Sequence, residues 1–257
     1  MDGTLLDSQH QLPLAHEQAL TQLLQQQQQV VIATGRAYPG VKAVLAEKTW
    51  FEKMTCVIHN GAATFQQGIA HNLCPMSWQG IEPLITACRQ LNIHFHYQGA
   101  QQTYVSDPDG KWQWVYDLHQ IHPIAINHYQ QVDEPLLKVC LMGEPEQFTQ
   151  LINQYPQLDF KKSNQWTASG RYFVDITAQG VTKQQAVARL AKQWGYAPDQ
   201  VVAFGDQDND AALLTWAGLS FAMANGSAAA QQAATHIAPS SDQAGVAHCL
   251  KQHQLLV

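Results

Sequence analysis

Val201-Val202-Ala203-Phe204-Gly205-Asp206-Gln207-Asp208-Asn209-Asp210 runs from an apolar stretch through a glycine into three acidic residues and an asparagine. A short apolar run of this kind reads as a buried parallel strand, and Ala211-Ala212-Leu213-Leu214 opens a helix behind it. Carboxylates packed this closely repel one another unless a cation neutralises them. Oxygen ligands suit a hard ion such as Mg2+, which keeps several waters and takes few protein carboxylates. Asp and Asn are also common helix caps, so a polar helix N-terminus would use the same residues. Strands alternating with helices in this way imply a parallel α/β sheet, whose ligand site lies beyond the strands' carboxyl ends.

Working outward, two other stretches bring polar groups to that edge. Val30-Val31-Ile32-Ala33 is a second short apolar run, and it ends in Thr34-Gly35-Arg36. A hydroxyl at the end of a buried strand is well placed to donate to a phosphate, and Gly35 lets the backbone approach closely. The triplet alone is equally a strand followed by a turn. Thr182-Lys183-Gln184-Gln185 has the spacing of a capping box and predicts a helix from Thr182. Val187, Leu190, Ala191 and Trp194 then share one face, and Gly195 supplies the stop. A lysine in the first turn opposes the helix dipole. Lys183 is therefore either simply solvated or set behind an anion or carboxylate cluster.

In this order the stretches resemble the haloacid dehalogenase superfamily of phosphatases. The opening Met1-Asp2-Gly3-Thr4-Leu5-Leu6-Asp7 resembles its DxDGTLL signature, with Asp2 as the second aspartate and Met1 as the x. Asn60-Gly61-Ala62 after Val57-Ile58, and Ala222-Met223-Ala224-Asn225, resemble the Cof-like subgroup. The likeness covers residues 2 to 63 and 173 to 250. It departs from the pattern at Gln184, where glycine is usual, and at Ala230 and Gln231, where a lysine often follows the Asn225 segment.

The resemblance implies a Rossmann-like parallel-sheet core in residues 1–75 and 172–257, with an α+β cap inserted over 76–171. It implies a Mg2+-dependent phosphatase for small phosphorylated metabolites that works through an aspartyl-phosphate. Asp2 is then the general acid/base, and Thr34 and Lys183 steady the phosphoryl charge. Substrate contacts fall to Thr34, Gly35, Arg36, Lys183 and Asn209. The metal falls to Asp2 (through its carbonyl), Asp206, Asn209 and Asp210, the last two also serving to orient the metal's waters or Lys183. The nucleophile's place, two before Asp2, has no residue in this numbering, and Asp7 is a poor replacement. The expectation is a natural start about 8–12 residues upstream, enough to supply one more central strand. Without that strand, about 8–15 kcal/mol of burial is lost and the sheet is open in its middle. A chain without it is expected to be poorly folded and not to turn over. The competing readings are a binding or regulatory protein on the same fold and a phosphomutase-like phosphotransferase. A response-regulator receiver is disfavoured by the long insert.

The bulk properties agree with such a reading. A net charge of −6 with only 14 Lys+Arg disfavours nucleic acid and anionic membranes as partners. Cys56, Cys74, Cys88, Cys140 and Cys249 are odd in number and form no CxxC pair, so reduced thiols and a cytoplasmic location are expected. No apolar run has the length of a membrane span or reads as a signal peptide. The histidines show no HExxH-like spacing. Oligomeric state is left open.

Between the motifs, Leu14 opens a helix whose polar end is the Gln25–Gln29 run, and Thr64–Ile69 forms a hairpin turning at Gly68. Leu73-Cys74-Pro75 links to the second unit. There a helix is expected over Trp78–Leu91, with strands at His94–Tyr97, Trp112–Tyr116 and Leu136–Met142. Asp107-Pro108-Asp109-Gly110 signals a turn, and a helix is expected over Pro145–Tyr155. Trp112, Trp114 and Tyr116 would share one strand face, packing a sheet against helices or lining a substrate pocket.

Overall fold

The computed structural model describes residues 1–106, 110, 112–118, 121–155, 160–163 and 172–256. Its strands form three sheets. The first contains β1 (Val31–Ala33), β2 (Thr55–Ile58), β3 (Ala63–Gln66) and β4 (Ile69–His71), in that order. β1 and β2 are parallel, and β2, β3 and β4 are antiparallel. The second contains β5 (His94–Gln98), β6 (Thr103–Val105), β7 (Ile124–Ala125), β8 (Lys138–Gly143), β9 (Lys161–Ser163) and β10 (Tyr172–Thr177). Its order is β7-β6-β5-β8-β10-β9, and its central pairs are antiparallel. The third is parallel throughout: β11 (Val202–Gly205), β12 (Leu219–Met223) and β13 (His236–Ala238).

The helices are α1 (Leu14–Gln25), α2 (Tyr38–Leu45), α3 (Trp78–Gln90), α4 (Gln113–Leu118), α5 (Pro145–Gln154), α6 (Lys183–Trp194), α7 (Ala211–Trp216), α8 (Ala228–Ala233) and α9 (Gly245–Gln252). Two of them join the first and third sheets from different apolar clusters. α6 sets Ala186, Val187 and Leu190 against Ala203 of β11, with Val31 and Ala33 of β1 packed on the same cluster. α1 turns Leu20 toward Ile32 of β1, and Ala19 toward Phe221 and Met223 of β12. Each large side chain so buried contributes about 1.5–3 kcal/mol. The product is an α/β core whose strand ends carry the motif residues. Among the described residues, β1 and β11 each have a strand neighbour on one side only.

α6 shows how local sequence sets an element. The Thr182 hydroxyl caps it by accepting from the Gln185 N–H at 3.1 Å, and Gly195 ends it in a left-handed turn at φ 79°. α1 stops at Gln25, so most of the glutamine run lies beyond the helix. The hairpin at Gly68 forms between β3 and β4.

Trp112–Tyr116 is a correction. The aromatic alternation predicts a strand, whereas Gln113–Leu118 is helical. Trp112, Val115 and Tyr116 are buried together against Cys140 and Met142, and that spacing is the i, i+3, i+4 stripe of a helix. Trp112 and Tyr116 satisfy both periods, so the alternation misleads. Tyr172–Thr177, read from sequence as the start of the returning core, pairs instead with β8 in the six-stranded sheet. The Asp107–Gly110 turn rests on residues 107–109, which lie outside the described residues.

Candidate active site

A cavity of about 610 Å3 opens where the strand ends of the core meet the six-stranded sheet. Asp2, Thr34, Gly35, Arg36, Lys183, Asp206, Asn209 and Asp210 all line it. The site residues read from the sequence are therefore brought to one place.

Asp2 is tightly held. Arg36 Nε donates to its Oδ2 at 2.8 Å, and a second guanidinium nitrogen, Nη2, pairs closely with Oδ1. His10 Nδ1 lies 3.1 Å from Oδ1. Burial alone would raise the Asp2 pKa, but the hydrogen bonds from His10 and Arg36 outweigh it and hold this carboxyl well below the usual range. The same contact, ahead of the opposing effect of burial, raises the His10 pKa. Arg36 also donates to Gly40 O at 3.1 Å. Arg36 was read as a substrate ligand, yet its charge is spent on Asp2 in this arrangement.

Lys183 sits behind a carboxylate. At the first position of α6 it is 5% exposed, and its Nζ donates to Asp210 Oδ1 at 2.7 Å and Asn209 Oδ1 at 3.3 Å. Asp210 Oδ2 accepts the backbone N–H groups of Asp206 and Gln207 at 3.0 and 3.1 Å. Burial would raise the Asp210 pKa, but Lys183 prevails and lowers it. Both Asp210 oxygens are thus engaged, which makes it the brace for Lys183 and the loop. Asp208 is exposed.

Asp206 differs. It is 4% exposed, and it accepts from the Thr4 hydroxyl at 2.5 Å and from Gln207 Nε2 at 3.0 Å. No lysine or arginine pairs with it among the described residues. Burial, the largest influence, pushes its pKa up. Such a carboxylate is the one that a cation would relieve. No group of three or more His, Cys, Asp or Glu side chains gathers into a metal cluster among the described residues. Mg2+ needs only one or two carboxylates and fills the rest of its shell with water, so an oxygen site centred on Asp206 fits it.

The sequence reading named Asn60 only as part of a motif, and here it is a junction. Its Nδ2 donates to Asp175 Oδ2 at 3.1 Å, and its Oδ1 accepts from Asn209 Nδ2 at 2.8 Å. Asn60 lies in a left-handed turn (φ 58°), and Gly61 follows at φ 111°. A Cβ on Gly61 would stand 2.3 Å from Thr182 O, so glycine lets this loop meet the start of α6. Asn225 ties Gly3 O (2.8 Å) to the Ser241 N–H (2.9 Å).

The far wall comes from the six-stranded sheet and α4: Gln98, Lys138, Phe173, Asp175 and Trp114. Trp114 and Phe173 meet edge-on at 5.9 Å. Gln98 is 3% exposed, and its Oε1 has no hydrogen-bond partner among the described residues. His10, Gln98, Lys138 and Asp175 were missed from sequence. For Lys138 and Asp175 a signal existed, a charge inside an otherwise apolar strand, which is unusual unless it is paired.

The chain matches the haloacid dehalogenase-like hydrolase family over residues 1–250. It is 27% identical over 264 residues to the Bacillus subtilis (strain 168) protein named Putative phosphatase YxeH, covering 100% of this chain and 96% of that one. In fold it is similar to a haloacid dehalogenase-like hydrolase from Bacteroides thetaiotaomicron, with a TM-score of 0.85 at 19% identity, covering 98% and 96% of the two chains. It is also similar to the subclass IIB sugar phosphatase BT4131, with a TM-score of 0.84 at 19% identity, covering 100% and 97%. No helix among the described residues is long and apolar enough to cross a membrane.

Proposed function

This chain belongs to the haloacid dehalogenase-like hydrolase family, and we propose that it is a Mg2+-dependent phosphatase of small phosphorylated metabolites. The observation that carries the reading is the convergence of Thr34, Lys183 and Asp206 on one cavity. Thr34 presents a hydroxyl, and Lys183 presents a positive charge that Asp210 and Asn209 hold in place. Together they fit the three oxygens of a phosphoryl group and the charge that spreads over them during transfer. Asp206 would hold Mg2+, with Asn209 beside it. The ion would neutralise the gathered negative groups and leave phosphorus open to attack.

The reaction class is transfer through an aspartyl-phosphate, with Asp2 delivering a proton to the leaving oxygen and then activating water. Among the described residues, three of the cavity carboxylates are tied to cations. Asp2 is bound by Arg36 and His10, Asp210 by Lys183, and Asp175 by Lys138 and Asn60. Asp7 Oδ1 accepts the backbone N–H groups of Gln9 and Gln11. The family resemblance would put the attacking carboxylate two positions before Asp2. Gln98, Trp114 and Phe173 then face the leaving group and govern which metabolite is accepted.

The tied carboxylates favour a second reading for residues 1–257 taken alone, which is metal-dependent binding of phosphate without turnover. Calorimetry of inorganic phosphate with and without Mg2+ tests the part common to both readings. Binding should be strengthened by Mg2+, and that enhancement should vanish in Asp206→Asn. Binding indifferent to Mg2+ in both proteins would remove the metal from the account.

A further inference from the structure

The cavity wall contains a joint that the motif residues do not explain. All of β8 is buried, and Lys138, 5% exposed, is its one charged side chain. Its Nζ donates to Gly35 O at 2.8 Å and to Asp175 Oδ2 at 3.1 Å. Asp175, on the adjacent β10, also accepts from Asn60 Nδ2. Asn60 is bonded to Asn209, and Asn209 to Lys183. One hydrogen-bonded chain therefore runs from the six-stranded sheet to the lysine at the head of α6.

The carbonyls flanking Gly35 O are tied as well. Thr34 O accepts from the Asn60 N–H at 3.0 Å, and Arg36 O from the His59 N–H at 3.1 Å. Of the three donors only Lys138 is charged, and only Lys138 comes from the six-stranded sheet. With these carbonyls drawn back, the Arg36 N–H donates to Thr34 Oγ1 at 3.1 Å. A hydroxyl that accepts there keeps its own proton to donate elsewhere. The packing is close: a Cβ on Gly35 would lie 3.1 Å from Asn60 Oδ1 and 3.5 Å from Asp175 Oδ2. His59 offers no rival cation, because burial and the Lys138 charge push its pKa down to about 3.

We propose that Lys138 and Asp175 are positioning residues, a clasp by which the six-stranded sheet fixes the Thr34–Arg36 loop and aims the Thr34 hydroxyl at a bound phosphoryl group. The aim, though not the clasp itself, rests on reading Thr34 as a phosphoryl ligand. Two readouts separate these parts: amide hydrogen exchange at His59 and Asn60, and the affinity for inorganic phosphate.

Lys138→Met keeps the side-chain stem and removes the donor. Exchange at His59 and Asn60 should quicken about tenfold, the scale of one charge-assisted hydrogen bond. The amides of Val139 and Leu141 should stay protected. Phosphate should bind about tenfold more weakly, and Lys138→Arg should recover most of both effects. Unchanged exchange at His59 and Asn60 overturns the clasp, whatever happens to phosphate. Faster exchange in a protein whose parent binds no phosphate upholds the clasp and counts against the phosphatase reading. Faster exchange with phosphate affinity unaltered overturns the aiming role. If Val139 and Leu141 also lose protection, Asp175→Asn, which preserves shape, is judged by the same criteria.

Discussion

At the scale of single residues, the account turns on how each cavity charge is neutralised. Asp2, Asp175 and Asp210 each pair with a lysine or arginine, whereas Asp206 pairs with neither among the described residues and has only the Met1 ammonium opposing the effect of its burial. The Asp2–His10 contact makes a pH prediction. The folded Asp2 pKa is depressed, so its contribution is present above about pH 4 and is lost as pH falls through the folded value. The His10 pKa is raised, so its contribution is complete below about pH 6.5 and is lost as pH rises through the folded value. The pair therefore stabilises most between those limits. An NMR titration should find the His10 ring above the ordinary histidine value, and Asp2→Asn should bring it back. A His10 that titrates at or below the ordinary value in the parent would contradict the contact. Residue type and order made Thr34, Lys183 and Asp206 legible in sequence, because each follows a strand or begins a helix in a recognisable pattern, and Asp2 was legible only through the likeness of residues 1–7 to a family signature. Lys138 and Asp175 left only the signal of a charge within an apolar strand, and their role could not be read from it because their partners, each other and the Gly35 and Asn60 loops, lie far apart in sequence.

At the scale of elements, the loop after β2 and the head of α6 have to touch for Asn60 to reach Asn209. Gly61 is where they meet. Gly61→Ala adds a Cβ at φ 111° and drives it toward Thr182 O, so it should cost on the order of 1–3 kcal/mol. Thr182→Ala, which removes only the cap bond, should cost about 1 kcal/mol. Urea unfolding of the two variants compares them directly. A Gly61→Ala loss no larger than that of Thr182→Ala would argue that the loop does not press on α6. The Thr182 N-cap, the hairpin and the β8 strand were readable because local chemistry determines them. α4 was not, because Trp112 and Tyr116 fit a strand and a helix equally until Val115 joins them in the buried stripe.

At the scale of the molecule, the parallel strands among the described residues fall in two sheets, with β1 and β11 as end strands there and α1 and α6 spanning both. The core's α/β class followed from apolar runs that end in polar motifs. The attachment of β10 to the six-stranded sheet did not, since strand pairing between distant segments leaves no local trace. The central claim is that this cavity transfers phosphoryl groups once an aspartate stands immediately before Met1. Its most direct measurement is aryl phosphate hydrolysis in Mg2+ by the chain bearing an apolar strand that ends in aspartate at that position. The same extension ending in asparagine serves as the control. The account predicts turnover with the aspartate, none with the asparagine and none for residues 1–257. Equal rates in all three would place the attacking group inside the present chain, and no turnover in any of them would contradict the phosphatase assignment.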